Sequence, residues 1–318
     1  MSAQPKWTAP MLATLTEKRF SDPDWIFERK LDGERVLAFK RGKQVRLMSR
    51  NRKRLNGTYP ELAAELARAA RADFVADGEV VAFDGALTSF SRLQGRMRYT
   101  DPDKARKSGV AVYYYLFDLL HFDGQDLTRR PLTERKQRLR KALRFRGHLR
   151  YTAHRAEQGE QYHRQACQRG WEGVIAKKAD SRYAHSRSSQ WLKFKCVREQ
   201  ELVIGGYTEP RGSRTGFGAL IVGFYRNGTL HYAGKVGTGF DERTLEDLGK
   251  KLRKRERDDC PFAEKRAATE RGAHWVKPVL VGQFGFTEWT RDERLRHPRF
   301  LGLRRDKPAR RVVRETPQ

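Results

Sequence analysis

The sequence changes character near Lys195, and this change constrains the fold more than any other feature. Before it, strand-like and helix-like segments alternate, whereas after it short strands follow one another with one inserted helix. The early strands are predicted at 25–29, 35–40, 44–49, 74–83 and 112–117, and the later ones at 201–207, 219–225, 229–236 and 279–288. We therefore predict two domains, 1–198 and 199–318, with the boundary near 197–200.

Local patterns support these segments. Pro60 begins a helix that places Leu62, Leu66 and Ala69 on one face. Further helices are predicted from Pro131, near Glu160 (with Gly170 as its cap) and over 242–255, while 227–228 is an Asn-Gly hairpin turn. The predicted class is α+β, with antiparallel sheets and helices in the first domain and a small β-barrel in the second, for which an OB-fold is the obvious candidate.

The charge of the chain indicates its partner class. With 67 Lys+Arg against 39 Asp+Glu the net charge is +28, which is typical of proteins that meet a polyanion, most often nucleic acid. The longest apolar stretch, 110–120, is cut by Asp118 and is too short to cross a bilayer. No signal segment is recognised at the N-terminus, so a cytoplasmic, nucleoid-associated protein without membrane partners is expected.

Cysteine and histidine give no metal pattern in the sequence. Cys167, Cys196 and Cys260 are scattered, odd in number and without a CxxC pair, which argues against a zinc ribbon and against a disulfide framework. We expect reduced, buried or idle thiols. None of the eight histidines is recognised at metal-ligand spacing, so they are expected at the surface or at DNA.

Nucleotide chemistry, if present, must proceed without the common phosphate loops, because GxxxxGK[ST] is absent and Gly216 and Gly218 lack the third glycine of a dinucleotide fingerprint. Instead, several short polar blocks occur in order at predicted strand ends and turns. They are ERKLDGER at 28–35, SRN at 49–51, DGE at 77–79, FD closing a strand at 117–118, EGVIAKK at 172–178, WLKFK at 191–195 and RRDK at 304–307. Taken alone, the first block is a solvated surface turn; the ordered set is far more specific.

This set resembles the covalent nucleotidyltransferase superfamily of ATP-dependent DNA ligases, RNA ligases and mRNA capping enzymes. The resemblance runs from about Trp7 to Lys307. Finer blocks (FSRLQGRM, HWVKP, FTEWT and LRHPRFLGLRRDK) are similar to the ligase domain of bacterial ligase D, the end-joining type. The resemblance implies a nucleotidyltransferase domain followed by an OB-fold domain.

Lys30 is the predicted nucleophile within the first block. An amine that attacks the α-phosphorus of ATP must be unprotonated, so its pKa has to fall well below the free value of about 10.4. Neighbouring cations disfavour a second ammonium, and we assign this part to Arg35, Lys193, Lys195 and a bound Mg²⁺. Attack would release pyrophosphate and leave a lysine–AMP phosphoramidate.

Carboxylates and an aromatic ring complete the predicted nucleotide site. Glu79 and Glu172 suit a divalent ion, Mg²⁺ or Mn²⁺, and the resemblance also implies a ribose contact for Glu79. Phe117 would stack on adenine, although an aromatic in so apolar a strand is more often core. Glu28 lies two residues before Lys30 on the same strand face, where the family contacts the adenine edge.

Several basic residues are predicted to contact phosphates. Lys177, Lys193 and Lys195 are placed for this, with a basic edge strand on the DNA backbone as the competing interpretation. Arg50 matches the block that touches the sugar or the 5′-phosphate.

The remaining roles rest on the resemblance. It implies that Asp32 serves the later joining step. It also implies that Arg304, Asp306 and Lys307 orient the pyrophosphate, with Lys307 as the phosphate contact. The alternative for 304–318 is a basic tail that merely adheres to DNA.

The predicted function is an ATP-dependent DNA ligase that seals 5′-phosphate/3′-hydroxyl breaks through a lysyl-AMP intermediate. Nicked or broken duplex DNA is the expected partner of a monomeric protein, acting alone or with a Ku-type end-binding protein. An RNA ligase or capping-type enzyme is the alternative that would share the same lysines and glutamates. A catalytically idle DNA-binding module is the alternative from another class.

Overall fold

The computed structural model describes residues 4–196, 198–210, 214–264, 267, 269–290 and 292–315. The chain divides into two compact units, the first ending at Cys196 and the second following it. Among the described residues, no helix combines the length and the apolar character needed to cross a membrane.

The described residues of the first unit form two large sheets, a short two-stranded pair and five helices. Its strands are β1 (Leu12–Leu15), β2 (Trp25–Arg29), β3 (Glu34–Arg41), β4 (Gln44–Ser49), β5 (Phe74–Val81), β6 (Phe83–Asp84), β7 (Leu87–Thr88), β8 (Tyr113–Phe122), β9 (Gln125–Asp126), β10 (Leu149–Tyr151), β11 (His154–Ala156), β12 (Gly173–Lys178) and β13 (Arg187–Lys195). Its helices are α1 (Pro60–Ala69), α2 (Phe90–Met97), α3 (Pro102–Arg106), α4 (Leu132–Ala142) and α5 (Gly159–Gln168).

The strand order explains why distant blocks of sequence can meet. The first sheet has the order β1-β13-β12-β2-β11, and the second has β10-β8-β5-β3-β4 with β9 beside β8. Neighbours are antiparallel, as predicted, except for a parallel pair at an edge of each sheet, β1 with β13 and β10 with β8. In the first sheet, β2, which ends within the ERKLDGER block, therefore lies beside β12, which begins only at Gly173.

The two sheets face each other, and helices cover their outer faces. Along β2 the side chains alternate: Ile26 packs toward the second sheet in a core that includes Phe117, whereas Phe27 packs with Tyr162 of α5. The outer face of the second sheet packs on α1, where Leu62 is buried as the helix pattern predicts. This layered arrangement leaves the polar side chains of the sheet ends in the cleft between the sheets.

Most predicted elements of the first unit are confirmed, and the errors are specific. The strands at 25–29 and 44–49 and the helix from Pro60 occur as predicted. The prediction that Phe117 and Asp118 close a strand is wrong, because β8 continues to Phe122. Helix α2 was not predicted; its start is set by the Ser89 hydroxyl, which accepts a hydrogen bond from the Arg92 N–H.

The described residues of the second unit form a six-stranded antiparallel sheet, a separate pair of short strands, one α-helix and a 3-10 helix over Ala309–Arg311. Its strands are β14 (Arg198–Thr208), β15 (Leu220–Arg226), β16 (Thr229–Val236), β17 (Glu256–Arg257), β18 (Ala273–Phe286), β19 (Glu288–Trp289), β20 (Leu295–Arg296) and β21 (Arg299–Arg304). The sheet order is β16-β15-β14-β18-β17, with β21 on β18. Helix α6 (Glu242–Arg253) buries Leu245, Leu248 and Leu252 in the core, and β18 begins six residues earlier than predicted.

Candidate active site

The register of the first sheet places the predicted nucleophile among cations. The Lys30 N–H donates to the Gly173 carbonyl oxygen at 2.9 Å, and Gly173 is paired across β12 and β13 with Lys195. In the adjacent row Glu28 pairs with Ile175, which pairs with Lys193. Directly paired residues of antiparallel strands project to the same face. The structure thus brings Glu28, Lys30, Lys193 and Lys195 to one face.

Gly173 is what allows the strands to approach so closely beside Lys30. Its φ is +144°, and a Cβ there would lie 2.0 Å from the Phe194 carbonyl oxygen. No side chain fits this space without separating β12 from β13. Gly173, the glycine of the EGVIAKK block, is therefore required for the close packing of β12 against β13 beside Lys30.

Glu172 is the immediate partner of Lys30. The Lys30 ammonium contacts the Glu172 Oε1 atom, and their side chains are 16% and 10% exposed. The second oxygen, Glu172 Oε2, is buried and has no hydrogen-bond partner among the described residues. A carboxylate with one oxygen on the nucleophile and a buried, unsatisfied second oxygen is suited to a further cation, so this residue fits a divalent metal ion.

Glu28 forms a buried cluster that the sequence did not reveal. Its carboxylate lies 2.5 Å from Lys136 Nζ and 2.6 Å from Lys177 Nζ, and all three side chains are at most 2% exposed. Burial raises the pKa of Glu28, but the two lysines outweigh it and hold the pKa below its usual value. Burial lowers the pKa of Lys177 to about 8, although Glu28 opposes this. Glu28 is thereby fixed as an ionised hydrogen-bond acceptor.

Phe117 occupies a bulge in the middle of β8. Asp77 of β5 pairs with Asp118, and the next residue of β5 pairs with Leu116, which leaves Phe117 as the extra residue. Its ring is 7% exposed, with Lys177 Nζ 4.1 Å from the ring centroid. The structure places Phe117 in the core between the sheets, next to the charged cluster.

Arg35 is held rigidly against the same ring. Its guanidinium donates to both carboxylate oxygens of Asp77 at 2.6 Å and lies 4.6 Å from the Phe117 centroid. Tyr183 also donates to Asp77. Burial opposes the charge on Arg35, but Asp77 outweighs it and raises the Arg35 pKa. A guanidinium locked in this way is a fixed positive charge rather than a mobile surface group.

Asp32 lies in the turn that follows Lys30, and Glu79 lies on β5 beside that turn. Asp32 Oδ2 accepts a hydrogen bond from the Phe90 N–H, the first residue of α2, at 3.0 Å. Glu79 is half-buried, pairs with Arg35 in the register of β3 and β5, and would lie 3.0 Å (Cγ) from a Cβ added to Gly33. The turn therefore rests on β5 beside Glu79, within the same unit as Glu172.

The other predicted residues are spread more widely. Arg50 is half-buried in the turn after β4. In the second unit, Arg304 is bound by Asp306 through two hydrogen bonds of 2.9 and 2.7 Å, and Lys307 donates to Glu201 at 2.9 Å. The partners described for Arg304 and Lys307 thus belong to that unit.

Sequence reasoning missed three residues that shape this site. They are Lys136, Asp77 and Tyr183. Lys136 lies four residues after Leu132 and three before Leu139, on the buried face of α4. A lysine in phase with the apolar positions of a helix was the available signal, because such a position requires a buried counterion.

Three expectations about sulfur and imidazole groups are wrong. Cys167 and Cys196 are joined as a disulfide, so the expectation of reduced thiols is wrong for these two residues. The expectation that no histidine has metal-ligand spacing is also wrong, because ligand atoms of His163, Cys167 and Cys196 all lie within 4.8 Å of one another. His121 is buried rather than at the surface. The pairing was hidden because 29 residues separate the two cysteines and the strand register brings them together.

A lysine beside a carboxylate, on a sheet face lined by further lysines, is the arrangement expected of a covalent nucleotidyltransferase. Residues 10–195 match the family described as an ATP dependent DNA ligase domain, and residues 213–307 match the ATP dependent DNA ligase C terminal region. The chain belongs to the ATP-dependent DNA ligase family.

Individual relatives agree with this membership. The chain is 38% identical to the multifunctional non-homologous end joining protein LigD of Pseudomonas aeruginosa, over 98% of this chain and 37% of that protein. It is 32% identical to a DNA ligase of Natronomonas pharaonis, over 88% of this chain and 51% of that protein. The solved mycobacterial DNA ligase D complexed with ATP and MES is 36% identical, with a TM-score of 0.68 over 97% of this chain and 98% of that one.

These matches confirm the predicted family and the α+β class with an OB-fold domain. Membership in this family agrees with the predicted enzyme class, a DNA ligase that uses ATP. The chain spans only 37% of the Pseudomonas LigD and 40% of the Mycolicibacterium smegmatis LigD.

Proposed function

We propose that this protein seals 5′-phosphate/3′-hydroxyl breaks in duplex DNA, in repair by end joining, through an AMP carried on Lys30. The observation that carries the proposal is the pairing of Lys30 with Glu172 in a row that also contains Lys195. A net charge of +28 supports a substrate with many phosphates.

In the first step the Lys30 amine attacks the α-phosphorus of ATP. A nitrogen–phosphorus bond forms, the bond from the α-phosphorus to the bridging oxygen breaks, and pyrophosphate leaves. Glu172 orients the Lys30 nitrogen through Oε1. Lys193, Lys195 and the fixed Arg35 guanidinium supply positive charge for the phosphate oxygens, which is where charge must be neutralised.

The adenine side of the site is assigned to Glu28 and Phe117. An ionised Glu28 accepts the hydrogen bonds that the amino group of adenine donates. Phe117 supplies the aromatic surface for the base. Lys177 was predicted to contact phosphate, but its pairing with Glu28 favours a role in holding that carboxylate.

A divalent ion, Mg²⁺ or Mn²⁺, fits Glu172 and Glu79. The support is the buried, unpartnered Oε2 of Glu172 and the half-buried carboxylate of Glu79 in the same unit. When bound, the ion would neutralise phosphate charge.

The later steps involve DNA. AMP moves from Lys30 to the 5′-phosphate, and the 3′-hydroxyl then displaces AMP. We assign the joining step to Asp32, the sugar or phosphate contact to Arg50, and pyrophosphate orientation to Arg304 and Lys307. Residues 1–198 are assigned as the adenylyltransferase domain, and residues 199–318 as the OB-fold domain. A nucleoid-associated monomer, working with or without a Ku-type end-binding protein, belongs to the same proposal.

The test is the intact mass after incubation with ATP and Mg²⁺. The protein should gain one AMP, Lys30→Ala should gain none, and the exposed-turn variant Lys43→Ala should load normally. Pyrophosphate treatment beforehand removes AMP already bound. If no AMP is gained, the mechanism is wrong and a DNA-binding module takes its place. If AMP is gained, joining of nicked DNA but not RNA supports the ligase, and the reverse supports an RNA ligase.

A further inference from the structure

A sulfur pair lies on the outer face of the first sheet, at the end of the strand that carries Lys193 and Lys195, and has no part in the mechanism above. Cys167 belongs to α5 and Cys196 follows β13 directly; their Cα atoms are 5.2 Å apart and the sulfurs are bonded. Both residues are partly exposed, so small reagents can reach them. The bond fastens the end of the WLKFK strand to a helix on the outer face of the sheet.

We propose that Cys167 and Cys196 form a reversible redox pair whose state controls how firmly Lys195 and Glu172 are positioned. The contact that carries the coupling is the Cys196 N–H, which donates to the Glu172 carbonyl oxygen at 3.1 Å. Cys196 is also the residue after Lys195, which shares a sheet row with Lys30. A bond made at this sulfur therefore restrains both neighbours of the nucleophile.

The surroundings of the pair favour thiol–disulfide exchange. His163 Nε2 lies 3.4 Å from the Cys167 sulfur and 4.0 Å from the Cys196 sulfur. An imidazole N–H group stabilises the thiolate that attacks or leaves in exchange.

The chemistry of the pair needs one co-reactant, a low-molecular-weight disulfide such as glutathione disulfide. The thiolate of one cysteine attacks it and releases a small thiol, forming a mixed disulfide. The second cysteine then attacks the protein sulfur of that mixed disulfide and releases the second small thiol. Two electrons and two protons pass from the protein to the oxidant, and excess small thiol reverses both steps.

The functional consequence rests on the proposed function. A ligase acts in the compartment of the chromosome, where thiols are kept reduced and disulfides are usually transient. In the oxidised form the end of β13 is covalently held, so Lys195 and Glu172 are pre-ordered for ATP. In the reduced form that restraint is lost, and KM for ATP in lysyl-AMP formation should rise by about two- to tenfold.

The test separates the redox chemistry from its consequence. The full chain is equilibrated in glutathione buffers of different ratios, free thiols are alkylated, and peptide masses report the disulfide. Cys260, in the second unit, is removed by Cys260→Ser as the matched control, which should behave as the native protein. Cys167→Ser and Cys196→Ser should form no intramolecular bond, and their KM for ATP should equal that of the reduced protein in every buffer.

Each result has a defined meaning. Failure to form the Cys167–Cys196 bond at any glutathione ratio overturns the proposal, as does a reduced protein that retains a zinc ion on His163 and both cysteines and resists oxidation. Equal KM values for oxidised and reduced protein overturn the coupling. If the bond cycles but neither form gains AMP, the proposed function fails while the redox pair stands.

Discussion

Replacing Lys136 by methionine tests the buried charge cluster, because the side-chain length is nearly kept while the charge is lost. Lys136 Nζ donates to Glu28 at 2.5 Å, to the Thr152 carbonyl oxygen at 3.0 Å and to the Phe117 carbonyl oxygen at 3.4 Å. In the variant, each of these three acceptors loses one hydrogen-bond donor. Glu28 still keeps Lys177 at 2.6 Å, so the carboxylate is not left without a counterion.

The expected cost follows from that remaining pair. Breaking a buried ion pair costs about 3–5 kcal/mol, and we place Lys136→Met at the lower end, about 3 kcal/mol. Glu28→Gln should cost more, about 5 kcal/mol, because it leaves two buried ammonium groups facing a neutral amide. In the Glu28→Gln background, Lys136→Met should cost less than in the native protein, since it then removes an uncompensated charge.

Thermal unfolding followed by circular dichroism measures these differences. A loss of about 3 kcal/mol corresponds to a fall in Tm of about 6–12 °C for a unit of this size. Lys141→Met, on the exposed side of α4, is the control and should change stability by less than about 0.5 kcal/mol. If Lys136→Met unfolds like Lys141→Met, or if Glu28→Gln is no worse than Lys136→Met, the charge-cluster argument is refuted.

The other predictions concern a crowded glycine, a buried lysine and the net charge. Gly173→Ala should lower lysyl-AMP formation by about tenfold or more, because its Cβ would lie 2.0 Å from a carbonyl oxygen. Gly234→Ala is the control, because Gly234 also has a positive φ (+122°) but an added Cβ there would meet no atom of the described residues beyond its chain neighbours within 4 Å. This variant should load AMP normally, and equal losses in both variants would contradict the packing argument. The pKa of Lys177 is about 8 in the folded protein and 10.5 in the free side chain, so the unfolded chain binds more protons between these values. The free energy of unfolding should therefore rise from pH 8 to 10.5 in urea titrations, and an identical slope in Lys177→Met would disprove this. Because the chain carries +28, its affinity for nicked duplex DNA in a filter-binding assay should fall by about 10³-fold or more between 50 and 200 mM salt. A flat salt profile would be incompatible with binding through phosphates.

Much of the fold could be predicted because its signals are local. The helix from Pro60 needed only the spacing of Leu62, Leu66 and Ala69, which are all buried. The hairpin between β15 and β16 needed only Asn227 and Gly228, both at positive φ. The strand end at Phe117 was misplaced because Asp118, which interrupts the apolar run, is buried inside β8 by its ion pair with Arg135.

The candidate site likewise combines features that local sequence predicts with features that only the strand register sets. The alternation of side chains along a strand is enough to place Glu28 and Lys30 on one face, and Lys193 and Lys195 on one face. That these two pairs share a single face depends on β12 lying between their strands. No spacing in the sequence encodes that register.

The sequence by itself therefore determined the order of the motifs and the two-part architecture, and it predicts Lys30 as the nucleophile, since each of these depends on neighbouring residues. Only the tertiary structure decided that Lys136, 108 residues from Glu28, would be its buried partner. It also decided that Cys167 would meet Cys196. The physical reason is that backbone sterics act over a few residues, whereas charge pairing and sulfur chemistry act only across contacts made by strand register and helix packing.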